Sequence, residues 1–206
     1  MSGETVFNPL DKRNLGKSVV DALLERDAVP MRDITPFRGA GVYAIYYTGD
    51  FPAYRPLAAL NRKTAACPIY VGKAVPKGGR KGVSFDVSSE SASLFSRLTE
   101  HAESIAAVSS LNLDDFSCRS LVVDDIWIPL GETLIIQRFQ PLWNQIVEGF
   151  GNHDPGRGRY DGMRPSWDEL HPGRGWAARC KPAKFSTKQI ISKVSEYMGG
   201  LPEILG

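Results

Sequence analysis

Residues 41–47 read Gly41-Val-Tyr-Ala-Ile-Tyr-Tyr47, a run of β-branched and aromatic side chains that Thr48-Gly49-Asp50 brings to an end. Such a run between turn-forming residues predicts a β-strand. A second strand is predicted at residues 67–71, Cys-Pro-Ile-Tyr-Val, and Gly72 follows it directly. The connection between these strands is longer than a tight hairpin needs, which leaves room for an inserted element. A third strand is predicted at residues 121–125, Leu-Val-Val-Asp-Asp.

Apolar residues at helical spacing predict four helices around these strands. They cover residues 14–26, residues 91–108, a segment from Pro129 to Phe139, and a C-terminal segment after Ser186. The C-terminal segment opens with Ser186-Thr-Lys-Gln189, which has the pattern of a capping box. Strands flanked by helices in a chain of this length indicate one α+β domain.

Composition limits the class of protein. The 206 residues are 42% hydrophobic, enough for a substantial core, yet no run approaches the ~18 apolar residues that span a membrane. The N-terminus lacks the basic start and apolar stretch of a secretory signal, so we expect a cytoplasmic protein with no membrane partner. Cys67, Cys118 and Cys180 are widely spaced and odd in number, which argues against a disulfide framework and against a zinc site.

Three polar residues on the predicted helices suit phosphate chemistry. Arg97 and His101 stand four residues apart, so both face the same side of one helix. Glu132 stands near the first turn of a later helix and offers a hard oxygen ligand. A surface ion pair with Glu100 or Glu103 would also account for Arg97. Ordinary solvent exposure would account for His101 and Glu132.

Taken in order, these residues and two tyrosine–glycine motifs on the strands resemble the GIY-YIG nuclease superfamily. The resembling positions are Gly41-Val-Tyr43, Tyr70-Val-Gly72, Arg97, His101, Glu132 and Asn144. Val42 and Val71 replace the isoleucines of the superfamily name, a difference of one methylene each. The resemblance covers about residues 41–144 and implies a small three-stranded antiparallel sheet flanked by helices. Residues 1–40 would then form an N-terminal helical arm, 41–148 the catalytic core, and 149–206 a basic extension for DNA binding or dimerisation.

The resemblance implies a role for each residue in hydrolysing a DNA phosphodiester. Tyr43 would be the general base, although a phenol with a pKa near ~10 needs help at neutral pH. His101 would take the proton onward from Tyr43, and Arg97 would stabilise charge on the phosphate in the transition state. Glu132 would bind Mg²⁺, for which Mn²⁺ can substitute.

Tyr70 and Asn144 would have supporting roles in the same pattern. Tyr70 would orient the attacked phosphate or help to activate water, and packing within a strand accounts for it equally well. Asn144 would hold the catalytic helix and the strands together through its amide group. The absence of further clustered carboxylates favours one metal ion rather than two.

A histidine one turn after the arginine is similar to a group of type II restriction endonucleases in this superfamily that cut the palindrome CCGCGG. A palindromic target in double-stranded DNA implies a two-fold symmetric homodimer. A restriction system also implies a cognate DNA methyltransferase in the same system. A GIY-YIG repair or homing-type nuclease and a catalytically silent DNA-binding module remain as alternatives.

Basic residues in two segments are the candidate DNA contacts. One segment is the glycine-containing loop after Gly72, and the other is an arginine-rich segment after Gly149. The candidates are Lys73, Lys77, Arg80, Lys81, Arg157, Arg159, Arg164, Arg174 and Arg179. Arginine bidentate to guanine would read a GC-rich site, while backbone phosphate contacts or a plain solvated loop account for these residues equally well. Trp167 and Trp176 also fit a dimer interface.

Overall fold

The computed structural model describes residues 11–76, 90–156 and 159–205. Within these ranges the sheet has four strands, which are β1 (Val29–Pro30), β2 (Gly41–Tyr47), β3 (Tyr70–Ala74) and β4 (Phe116–Val122). All neighbours are antiparallel, and their order across the sheet is β1-β4-β2-β3. The central position of β2 puts its side chains in the interior of the molecule on both faces.

Helices cover both faces of the sheet. In the described part of the chain they are α1 (Lys12–Leu24), α2 (Arg55–Asn61), α3 (Ser93–Ala106), α4 (Ile128–Phe139), α5 (Leu142–Gln145), α6 (Ser166–Leu170) and α7 (Thr187–Leu205). α4 has a proline in its first turn and ends at Phe139, because Gln140 adopts a left-handed conformation with φ of 42° and Pro141 follows it. No helix of the described ranges combines the length and the apolar character needed to cross a membrane.

The period-2 alternation of β2 builds two separate cores. Tyr43, Ile45 and Tyr47 face one layer, which α3, α5 and α7 complete. Val42, Ala44 and Tyr46 face the other layer, which α1 and α4 complete. Burying a large apolar side chain contributes about 1.5–3 kcal/mol, so two covered faces give this strand a strongly determined register.

The structure confirms the strand at residues 41–47 and corrects the other strand boundaries. The predicted three-stranded sheet has a fourth strand, β1, which pairs with β4 through only two residues. The third long strand begins at Phe116 rather than at Leu121, and the alternation of apolar and polar side chains in residues 116–119 is the strand signal that the prediction missed. The second strand runs from Tyr70 to Ala74 and so includes Gly72, whereas the predicted strand ends at Val71.

Two further expectations concern the connections and the C-terminus. The long connection between β2 and β3 contains α2, the inserted element for which its length left room. The capping box before α7 is present, since the Ser186 amide donates to Gln189 Oε1 at 2.9 Å. Phe150, Trp167 and Val194, all from the C-terminal third, lie in the same core cluster as Tyr43. The segment after residue 148 is therefore packed into the main core.

Candidate active site

Four of the candidate residues converge on one face of the sheet. Antiparallel register places Tyr43 of β2 directly opposite Gly72 of β3, and Tyr70 lies two residues before Gly72 on the same face. Arg97 and His101 reach this face from α3, one helical turn apart. The sheet and one helix thus bring together two phenols, a guanidinium and an imidazole.

Tyr43 and His101 form a buried hydrogen-bonded pair. Their Oη and Nε2 atoms are 2.6 Å apart, and each residue is 1% exposed. Burial raises the pKa of Tyr43 well above its ordinary value and lowers the pKa of His101 well below its own. Both shifts favour the neutral forms, and the short contact joins the phenol oxygen to a ring nitrogen of the imidazole. The position of His101 in the core rules out the helix-surface interpretation.

Gly72 explains how the Tyr43 phenol reaches its position. A Cβ atom at Gly72 would lie 2.6 Å from Tyr43 Cζ and closer still to the hydroxyl oxygen. The phenol therefore lies against the backbone of β3, where only glycine leaves enough room. The same closeness brings Tyr43 within 6.3 Å of the Tyr70 ring, measured between ring centroids.

Arg97 has partners on two sides. Its side chain is 18% exposed, and Nη1 donates to Glu100 Oε2 at 3.0 Å, one of the two ion pairs that the sequence allows for it. Nη2 donates to the carbonyl oxygen of Gly151 at 2.5 Å, and Nη1 also contacts the ring of His153. The positive charge of Arg97 lowers the pKa of Tyr43 against the larger effect of burial. Arg97 thus lies beside the Tyr43–His101 pair and remains partly open to solvent.

Glu132 approaches from the other helical layer. Its Oε2 atom is 2.6 Å from Nζ of Lys73, and its side chain is 19% exposed. Burial raises the pKa values of Tyr43 and Tyr70, and the negative charge of Glu132 contributes to the same direction. In the described ranges no three histidine, cysteine or acidic side chains converge on a metal-sized site. One accessible carboxylate fits a hard cation that keeps several of its waters, as Mg²⁺ does.

The side chain of Asn144 bonds to the backbone of β3 along the edge of the sheet. Its side-chain Oδ1 accepts from the Val71 amide at 2.8 Å, and its Nδ2 donates to the Val71 carbonyl at 2.9 Å. The neighbouring Trp143 amide donates to the Ile69 carbonyl at 2.9 Å. These bonds connect α5 to the strand that carries Tyr70.

Sequence reasoning missed the loop of residues 149–153, which closes one side of the site. The Phe150 ring stacks on His101, with centroids 4.5 Å apart and an interplanar angle of 18°. Gly151 and His153 contact Arg97, as described above. The only signal in this stretch was a change toward glycine and arginine, which predicts a loop but not its contacts.

Apart from Arg174, the candidate DNA contacts divide into three groups. Lys77, Arg80, Lys81 and Arg157 lie outside the described residues. Arg159 and Arg179 are exposed, and Arg179 pairs at 3.2 Å with Asp154, the residue after His153. Lys73 pairs with Glu132, and Arg164 is partly buried against Glu169 at 3.1 Å.

The structure corrects the prediction that Arg174 contacts DNA. Arg174 is 7% exposed, and its guanidinium donates five hydrogen bonds, two to Asp168 and three to backbone carbonyls. An arginine side chain has five N–H donors, so none is left for a base or a phosphate. Trp167 is likewise fully buried in the core rather than available for a dimer interface.

Comparison with known proteins gives the family. Residues 35–198, most of the chain, match the family described as the Eco29kI GIY-YIG domain. The match extends past residue 148 and includes the 149–153 loop and the buried Arg174. No curated protein matches the sequence. The chain therefore belongs to the Eco29kI GIY-YIG family of restriction endonuclease domains, a nuclease family whose substrate is DNA.

Proposed function

We propose that this protein is a type II restriction endonuclease that cuts both strands of a short GC-rich palindrome, CCGCGG, by Mg²⁺-dependent hydrolysis. The observation that carries the proposal is the 2.6 Å contact between Tyr43 and His101, a residue one turn from Arg97 on the same helix. A phenol that can pass its proton to a neutral imidazole is able to act as a base.

The proton moves in two linked transfers. As water attacks the phosphorus atom, Tyr43 Oη takes the water's proton while its own proton passes to His101 Nε2. The P–O bond to the leaving oxygen breaks, and that oxygen takes a proton from solvent. The products are a phosphomonoester, an alcohol and a protonated His101, which afterwards returns its proton to solvent. Neither phenolate nor hydroxide has to exist free in the site.

The pair is poorly suited to work without DNA. An imidazolium at His101 is unfavourable because the group is buried, and the charge of Arg97 opposes it further. A bound phosphodiester places negative charge beside Arg97 and reduces this repulsion. Proton transfer to His101 is therefore favoured when the substrate is in position, and this links the base to substrate binding.

Arg97 and Glu132 would supply the remaining charge stabilisation. The guanidinium of Arg97 suits a phosphate that gains negative charge, and its bonds to Glu100 and Gly151 orient it beforehand. Glu132 would hold Mg²⁺, with Mn²⁺ able to substitute. When bound, such an ion supplies positive charge at the leaving oxygen. Tyr70 would orient the phosphate, since its ring lies 5.3 Å from that of His101 between centroids.

Recognition and assembly follow from the symmetry of the target. A palindrome presents equivalent sequence to two sites, so we propose a homodimer acting in the cytoplasm alongside a cognate DNA methyltransferase. Guanine-rich sites suit arginine, and Arg159 and Arg179 are the arginines among the described candidates that are exposed. Lys73, next to Gly72, would contact the scissile phosphate.

Digestion of a mixed-sequence plasmid tests the proposal. The protein is incubated with Mg²⁺ or with a chelator, and the ends of any fragments are sequenced. We expect discrete, metal-dependent fragments that end within CCGCGG. Fragments that end within another palindrome would refute the specificity alone, and scattered or structure-dependent cuts would indicate a repair or homing-type nuclease. Binding without cleavage would indicate a catalytically silent DNA-binding module.

A further inference from the structure

Arg174 occupies a fixed position behind the active site. Its Nε and Nη2 atoms donate to the two carboxylate oxygens of Asp168 at 2.7 and 2.6 Å. Its guanidinium carbon lies 4.6 Å from the ring centroid of Trp167 and 4.9 Å from that of Trp176. A planar group that is held at one edge and covered by aromatic rings keeps one orientation.

The remaining donors of Arg174 all reach one short segment. Nη1 donates to the carbonyls of Phe150 and Asn152 at 2.9 and 3.0 Å, and Nη2 donates to that of Gly149 at 2.8 Å. Charge-assisted bonds to three carbonyls within four residues define the path of the 149–153 loop. No other side chain of the described ranges bonds to these three carbonyls.

The 149–153 loop in turn contacts the residues assigned to catalysis. Gly151 accepts from Arg97, and the Phe150 ring stacks on the His101 ring. A Cβ atom at Gly151 would collide with the Tyr70 hydroxyl and would lie 3.4 Å from Arg97 Nη2. The backbone thus passes as close to the site as glycine allows.

We infer that Arg174 is a positioning residue, which fixes the 149–153 loop and through it the guanidinium of Arg97 and the imidazole of His101. The catalytic consequence rests on the proposed function, while the structural consequence does not. A shift of about 1 Å in a catalytic group can lower a rate by about 100-fold, so a loop in direct contact with two such groups controls the rate.

Two changes at Arg174 separate positioning from folding. Arg174→Lys keeps the positive charge beside Asp168, but one ammonium cannot reach two carboxylate oxygens and three carbonyls together. If this variant does not fold, the double change Arg174→Met with Asp168→Leu removes both buried charges and keeps the volume apolar. Gly151→Ala displaces the loop directly. Gly162→Ala is the matched control, because a Cβ atom there meets nothing within 4 Å.

Three measurements are made on each folded variant. Proton NMR records the His101 ring signal, which the stacked Phe150 ring shifts in the parent protein. The chain has three histidines, so substitution of the other two by glutamine assigns this signal. The single-turnover cleavage rate and the dissociation constant for plasmid DNA complete the set.

We expect the Arg174 variants and Gly151→Ala to lose the Phe150-induced shift of His101 and to cleave about 100-fold more slowly with unchanged DNA affinity. Gly162→Ala should match the parent protein. Folded Arg174 variants with the parental His101 signal and rate would overturn the inference. If the parent protein cleaves no DNA, the proposed function fails, and the His101 signal still decides whether Arg174 positions the site.

Discussion

Gly72→Ala should disable the active site without removing any polar group. The added Cβ would lie 2.6 Å from Tyr43 Cζ, whereas ordinary contact begins near 3.4 Å. The phenol must therefore move by about 1 Å, and in a close-packed core it has no free space to enter. Such a movement is large compared with the tolerance of the 2.6 Å hydrogen bond to His101.

The expected loss follows from this displacement. A misplacement of about 1 Å corresponds to about 100-fold in rate, or about 2.7 kcal/mol in the barrier. Overpacking should also lower the free energy of unfolding by about 1–3 kcal/mol. Single-turnover cleavage of a plasmid, with the folded fraction measured by circular dichroism, separates the two effects.

Gly199→Ala is the control for this substitution, because a Cβ atom at Gly199 meets nothing within 4 Å. It should retain the full rate. A folded Gly72→Ala protein that cleaves at the parental rate would refute the reasoning, since the Tyr43–His101 pair would then tolerate displacement or play no part in the reaction.

Three other changes test separate groups. Glu132→Gln should abolish Mg²⁺-dependent cleavage and leave the DNA affinity, measured by filter binding, largely intact. The substitution removes the metal ligand and keeps the basic surface. If the variant still cuts DNA in a metal-dependent way, Glu132 is not the ligand. His101→Ala should slow cleavage and change its pH profile. Because the pKa of His101 lies well below 6.5, the cleavage rate of the parent protein should decline only at a pH far below that value. An identical pH profile in the variant would exclude His101 as the proton acceptor. Burial lowers the pKa of His171 from 6.5 to about 3, so its contribution to the free energy of unfolding is complete above pH 6.5 and is lost as the pH falls toward 3. Urea denaturation across this pH range should show a smaller loss of stability in His171→Gln than in the parent protein. Equal losses would contradict the lowered pKa of His171.

The central strand and the shared helix face of Arg97 and His101 were predictable from sequence because their signals are local. Residues 41–47 are apolar or aromatic throughout, and both faces of β2 are buried. The spacing of Arg97 and His101 placed both on one side of a helix, and the structure has them so. The capping box before α7 was likewise a pattern of adjacent residues.

The rest depends on contacts between residues distant in the chain. β1 has two residues, one of them proline, and is a strand only because β4 lies beside it. As an arginine in a basic segment, Arg174 was a reasonable candidate for a DNA contact. Three of its five hydrogen bonds, however, go to backbone carbonyls 22–25 residues earlier. Every residue has such a carbonyl, so the sequence does not reveal these bonds. The role of the 149–153 loop was hidden for the same reason.

The bonds of Asn144 have a consequence for association. β3 is the last strand of the sheet, and a bare outer strand is a template for pairing with another chain. At Val71 the side-chain amide of Asn144 takes the place of a neighbouring strand. Its oxygen accepts from the Val71 N–H, and its nitrogen donates to the Val71 carbonyl. Sheet extension between two copies therefore finds both main-chain groups of Val71 already engaged. A second copy could pair with β3 at Val71 only by displacing Asn144, so α5 protects this part of the sheet edge.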